Sequence, residues 1–336
     1  MKRLQPRDHR LPLLYGGAVG AVILCAFLGL VLGSTTFSFS QFDSALFGGV
    51  GTPEGNILWY VRFPRTAACL LCGAALAVSG AVIQGVLNNR LASPGIIGVN
   101  AGAGLAVTIC SALGILGGWR LSLFAFLGAF AAVLAVSMGA KRWGASRGTV
   151  ILMGVALNSL FGAVSDTIVT VEPTVGILRN QFKIGDFSFV TYAKLLPGGV
   201  MILLSLLAVL LLSRELEVLT LGEETARSLG MNTGVVRVLF LLLSALLAGA
   251  AVSLAGLLSF VGLLVPHAVR RLAGREQKHL LPLCALFGAA FVTLCDTLAR
   301  TVFSPYEIPV GIVMAFLGAP FFLFVLLKGK GGADHA

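Results

Sequence analysis

Charge is what this chain has least of: Asp, Glu, Lys and Arg make up 11% of its 336 residues, against about 25% in a water-soluble domain. With 57% apolar residues and a mean hydropathy of +0.96, soluble globular, disordered and disulfide-scaffold classes are all excluded. Acidic residues are the scarcest, 14 against 24 basic ones, and apart from Asp166 and Asp296, which border the ends of two long apolar runs, those runs contain none. A proton- or sodium-driven carrier needs acidic or histidine side chains at mid-membrane. An ion-coupled secondary transporter of a small solute is therefore the alternative that lacks its working part. Four histidines form no cluster with acidic residues, and no HExxH or nucleophile elbow occurs, which argues against a membrane enzyme. No lysine is followed by Ser or Thr, so the chain carries no phosphate-cradling GxxxxGK[ST] loop and no ATPase site of its own. Strand-like alternation over about ten residues is also missing, so the spans are helical.

What is present is a series of uncharged runs. They extend over 13–33, 66–87, 95–118, 121–140, 148–165, 195–213, 238–269, 280–295 and 308–327. A spanning helix needs roughly 20 mostly apolar residues, and the 238–269 run is too long for one crossing. Gly256 offers a break there, so the run reads as a helix, a tight reversal and a short helix ending near Pro266. About ten transmembrane helices result, in one transmembrane domain over 1–336 with a polar loop over 214–234 between the sixth and seventh spans. The first run follows basic residues, as a secretory signal would, but it is long and has no small-x-small cleavage site.

Lys and Arg are retained on the cytoplasmic side of a membrane. With the N terminus inside, 17 of the 24 fall on cytoplasmic segments, so both termini are expected in the cytoplasm. The net charge of +10 is then a topology signal, and no nucleic-acid partner is expected. All six cysteines fall inside the spans. The Cys69-Leu-Leu-Cys72 spacing has no second CxxC or histidine beside it, so these are packing residues and no metal site is expected.

Internal repetition is weak but present. Leu70–Ala75 followed by Gly80 aligns with Leu246–Ala251 followed by Gly256, with six of eleven positions identical at a shift of 176 residues. This pairs the second and seventh spans in two pseudo-symmetric halves.

More specific patterns lie at the membrane edges: Arg62-Phe63-Pro64-Arg65; Gln84-Gly85-Val86-Leu87-Asn88-Asn89-Arg90-Leu91-Ala92-Ser93-Pro94-Gly95, running on to Gly102 and Gly104; Leu221-Gly222-Glu223-Glu224-Thr225-Ala226-Arg227-Ser228-Leu229-Gly230; and Ser259-Phe260-Val261-Gly262-Leu263-Leu264-Val265-Pro266-His267. In these motifs and their order the chain resembles the FecCD-like permease subunits of type II ABC importers, which take up ferric siderophores, haem and cobalamin. It departs from the family pattern at Arg90, where a proline usually follows Asn89, and at Phe182-Lys183-Ile184-Gly185, where Trp-x-x-Gly is usual.

The resemblance implies a multi-pass protein of the bacterial plasma (inner) membrane, working by alternating access. Its partners would be a second permease subunit, with a homodimer favoured, two ATP-binding subunits that hold the ATP and Mg, and an extracytoplasmic solute-binding protein. Iron complexes are the first expected substrates, then haem, then cobalamin. Gly222, Glu223, Glu224, Ala226, Arg227, Leu229 and Gly230 would form the ATPase-coupling segment. In the residues themselves this is a short amphipathic piece, with Ala226 and Leu229 able to share one face while Glu223, Glu224 and Arg227 face water. Arg62, Arg65 and Arg300 would be docking points for acidic residues of the binding protein. Read plainly, they are interfacial arginines, and Asp296 with Arg300 is an i,i+4 structural pair. Gln84 and Asn100 are the polar span residues expected on the translocation path, the alternative being that they tie helices together.

Overall fold

Small residues decide which helix is central. The computed structural model describes residues 11–35, 43, 45–47, 49, 51–142 and 147–330, and both chain termini lie outside them. The helices are α1 (Leu11–Val31), α2 (Phe63–Leu87), α3 (Val99–Ala112), α4 (Gly118–Arg142), α5 (Arg147–Val171), α6 (Val175–Ile184), α7 (Tyr192–Leu211), α8 (Ser213–Thr220), α9 (Glu223–Ser228), α10 (Thr233–Ala255), α11 (Val261–Ala273), α12 (Gln277–Thr301) and α13 (Val310–Lys330).

Every residue of α2 from Cys72 to Leu87 is buried, which a membrane helix achieves only when neighbouring backbones come close. Ala, Gly, Ser and Cys supply that closeness. A methyl group placed on Gly73 would run into the carbonyl of Gly288 on α12, and one on Gly288 into that of Gly73. On another side, Ser79 Oγ lies 2.6 Å from Ser244 Oγ of α10. Helix α2 is thus the pillar against which α10, α11 and α12 pack. By contrast α1 exposes Leu13, Ile23, Leu24 and Phe27, as suits a helix facing lipid.

Each uncharged run contains a helix; among the described residues seven helices are long and apolar enough to cross a membrane, and α13 is apolar over Val310–Leu323. Two others are short. Helices α3 and α11, of 14 and 13 residues, rise about 20 Å each, less than the roughly 30 Å hydrocarbon core. The 95–118 run is broken because a 3-10 turn at Pro94–Ile97 and a left-handed Gly98 precede α3. The 238–269 run does break at Gly256, but the helix after it does not end near Pro266: it continues to Ala273. A proline inside a helix frees the carbonyl four residues earlier. Here that carbonyl is Gly262, and Gln84 Nε2 donates to it at 2.9 Å, so the helix continues through the proline.

Candidate translocation and coupling site

One end of the bundle, the end that charge placement assigns to the cytoplasm, carries α8 and α9 as a bracket between α7 and α10. Gly222 and Gly230, with φ of +114° and +82°, delimit α9. An L side chain rarely adopts such a backbone, so glycine is required to turn the chain sharply at both ends of so short a helix. Ala226 is fully buried, while Leu229 is 64% exposed; the two do not share a face, because α9 stops at Ser228 and Leu229 already lies beyond it. Glu223 does not simply face water either. Its Oε1 accepts from Arg227 at 2.6 Å and its Oε2 from Arg237 at 2.8 Å. Glu224, Arg227 and Leu229 remain outward, beside an exposed Leu221.

The bracket is tied to the bundle by a second carboxylate: Glu217 of α8 accepts from the backbone N–H of Gln277, in the first turn of α12, at 2.5 Å. An anion at a helix N-terminus satisfies an orphan donor and meets the positive end of the dipole.

The opposite end gathers Arg62, Arg65 and Arg300 into one cluster, and turns all three inward, to 3% exposure or less. Arg65 reaches Asp296 through Nη2 at 2.9 Å and Nε at 3.1 Å, and Glu307 through Nη1 at 2.7 Å. Arg300 Nε lies 3.0 Å from the other oxygen of Asp296, the i,i+4 pair the sequence offers. The C-terminus of α1 is the shared acceptor. Arg62 donates to the carbonyls of Leu30 and Val31 at 3.0 and 2.6 Å, and Arg300 to that of Gly29 at 3.0 Å. Cations there satisfy last-turn carbonyls and complement the helix dipole. Burial alone would raise the carboxyl of Glu307, but the hydrogen bond and charge of Arg65, a hydrogen bond with Ser34 and the charge of Arg300 outweigh it and hold the group below the usual carboxylate range.

Next to this cluster, three loops join through backbone alone. Leu257 N–H donates to Phe182 at 2.9 Å, Asp186 N–H to Ala255 at 2.8 Å, and Gly311 N–H to Gly185 at 3.2 Å. The α6 terminus, the α10–α11 break and the start of α13 are held as one junction, and Asp186 also lies 4.0 Å from Arg65.

Of the two expected pathway residues, only Asn100 lines a cavity. About 240 Å³ in size, it lies between α2, α3 and the α10–α11 break, against Leu76, Ser93, Gly95, Ser259 and Phe260. Gln84 is buried as a tie between α2 and α11, giving its amide hydrogen to Gly262 and accepting from Arg270. A stripe that sequence reasoning did not single out lies on α5, where Ala156, Ser159, Ala163, Asp166 and Thr170 are exposed along one face. Asp166, at 68% side-chain exposure, pairs with Arg179 of α6 at 2.6 Å. Small and polar residues at spacings of three and four were the available signal. Asp186, Glu217, Arg237 and Glu307 were also missed; their partners lie up to 242 residues away in sequence.

Comparisons with known proteins agree with this arrangement. The profile of the FecCD transport family matches residues 21–328. The hemin transport system permease of Yersinia pestis is 33% identical over 338 residues, 98% of this chain and 98% of that one. The Fe(3+)-citrate import system permease of Bacillus subtilis is 37% identical over 314 residues, 93% and 94% of the two chains. A solved inward-facing structure of a metal-chelate type ABC transporter superimposes with a TM-score of 0.84 at 30% identity, covering 94% of this chain and 99% of that one.

Proposed function

The chain belongs to the FecCD transport family, and from that premise we propose that it is the membrane-spanning permease of an ABC importer that moves a metal chelate, a ferric complex first and haem next, by alternating access. It is a multi-pass membrane protein with an apolar helical bundle. The observation that carries the proposal is the α8–α9 bracket. The bracket is held by Glu223 of α9, paired with Arg237, and by Glu217 of α8 at the start of α12, and it presents Leu221, Glu224, Arg227 and Leu229 outward, a surface suited to the groove of an ATP-binding partner. Energy must come from such a partner, because the sequence contains no nucleotide loop.

Two features support a second permease subunit. The 240 Å³ cavity that Asn100 lines is below the roughly 300–1,000 Å³ that encloses a drug-sized ligand, so by itself it does not hold a chelate. The exposed stripe of Ser159, Asp166 and Thr170 on α5 is costly against lipid and suits a water-filled path or a partner helix. The ten-crossing count, with α3 and α11 as short crossings, the cytoplasmic termini and the two pseudo-symmetric halves are part of the same proposal. The buried arginines serve docking of a solute-binding protein by holding the outer rim in shape, leaving direct charge contact to the more exposed Glu307 and Asp186.

The test is uptake in proteoliposomes containing this chain, its ATP-binding subunit and its binding protein, offered ferric siderophore, haem and cobalamin in parallel. ATP-dependent uptake of one ligand, lost with Leu229→Asp, is the expected result. Uptake that follows a proton gradient without ATP refutes the proposal and favours the ion-coupled carrier.

A further inference from the structure

Two groups of opposite charge near the coupling bracket, a buried arginine and a half-buried glutamate, are only half used. Arg237, in the second turn of α10, is among the largest fully buried side chains. Its Nη2 donates to Glu223, yet among the described residues its Nε and Nη1 have no hydrogen-bond partner. A buried guanidinium with two idle donors is costly, and such a group in a native structure needs a reason. The same holds for Glu215 of α8, whose Oε2 is buried and without a partner among the described residues.

Helical geometry sets where Glu215 faces. Successive residues of an α-helix are about 100° apart around its axis. On α8, Leu216 and Thr220 lie against Gly85 of α2, and Glu217, one step further round, reaches α12. Glu215, one step the other way from Leu216, is therefore turned away from α12. Helix α8 also packs on α10, the helix that carries Arg237.

We propose that Arg237 is the positioning residue of the coupling segment and acts as a two-position latch, bound to Glu223 of α9 in this state and to Glu215 of α8 in the other transport state. The latch rests on the coupling role proposed for α9. Exchange of one carboxylate for another keeps the buried cation paired in both states, so the cost of an unpaired charge is met only during the transition. It also gives the bracket two discrete positions, which a switching element requires. Helix α10 runs unbroken from Arg237 to the Ala255–Leu257 junction with α6 and α13, so a displacement of its first turn reaches the opposite end of the bundle.

The test uses the full transporter in proteoliposomes, with a spin label at exposed Val235 in the first turn of α10 and another on exposed Lys183, to measure the populations of the two states with and without ATP. Glu223→Gln should shift the distribution toward the second state, and Glu215→Gln should shift it the opposite way. Each shift should be about fivefold or more, the lower end of site-to-site coupling. Uptake per ATP hydrolysed should fall in both variants. A merely structural role would move both variants in one direction. Glu215→Gln removes no bond made in this state, so it tests the latch even if Arg237 variants fail to assemble. Unchanged populations with Glu215→Gln, or shifts of the same sign in both variants, overturn the latch while leaving the importer intact. Loss of ATP dependence in the unmodified complex overturns the importer proposal itself.

Discussion

Replacing Asp296 with Asn is the most informative perturbation of the buried arginine cluster. The carboxylate is 1% exposed, accepts from Arg65 Nε and Nη2, and forms an ion pair with Arg300 at 3.0 Å. Asn keeps the shape but removes the charge, and turns an amide donor toward two guanidinium groups that are themselves donors. Arg65 retains Glu307 and Arg300 retains the Gly29 carbonyl, so neither cation is fully stranded. Removing one partner of a buried pair costs about 3–5 kcal/mol, and the surviving contacts place Asp296→Asn near the lower end. In a chain of this size about 3 kcal/mol corresponds to a fall in Tm of roughly 4 °C, measurable by thermal unfolding in detergent.

The double variant Arg65→Met/Asp296→Leu decides the reason. Well-packed apolar replacements of a buried pair are often neutral or stabilising, so the double variant should be more stable than either single variant, Asp296→Leu or Arg65→Met. A coupling of about 1 kcal/mol or more between the two positions is expected from their contact. An unchanged Tm in Asp296→Asn, or additive losses in the double variant, would refute the view that this pair organises the rim.

Gln84→Leu should cost about 1–3 kcal/mol, the penalty of stranding the Gly262 carbonyl and the Arg270 donor, read as a lower Tm; no change would show that another donor serves that carbonyl. For Glu307 the sign follows from its depressed pKa: its contribution is present above the unfolded carboxyl pKa and is lost as pH falls through the folded value. Unfolding scans from about pH 6 to about pH 3, bracketing the usual Glu range, should show a smaller loss of Tm in Glu307→Gln than in the unmodified protein, and a lower starting value at pH 6.

How much of this was legible in sequence depended on the range of the interaction. The break at Gly256 was legible because run length and a glycine are local. Continuation of α11 through Pro266 was not, since the donor that makes it tolerable, Gln84, lies 178 residues from the carbonyl it serves. Gln84 therefore read equally well as a path residue or as a tie. The motif marked the α9 segment as the one expected to couple, but it could not show that Glu223 turns partly inward, because Arg237 belongs to the next helix. Likewise Arg62, Arg65 and Arg300 were legible as outer-edge arginines. Their inward orientation was not, because it depends on Asp296, Glu307 and the end of α1, which share no local pattern with Arg62 and Arg65.

The sequence by itself determined membrane residence, helical spans, the absence of an ATPase loop and the family. Each follows from composition, run length or short motifs, quantities summed over neighbours along the chain. Only the tertiary structure decided which helix is central, which arginines are buried, which carboxylates anchor the coupling bracket and which polar stripe stays open. Those outcomes turn on backbone approach and charge pairing between residues up to 242 positions apart, where desolvation makes a charge costly unless packing brings it a partner.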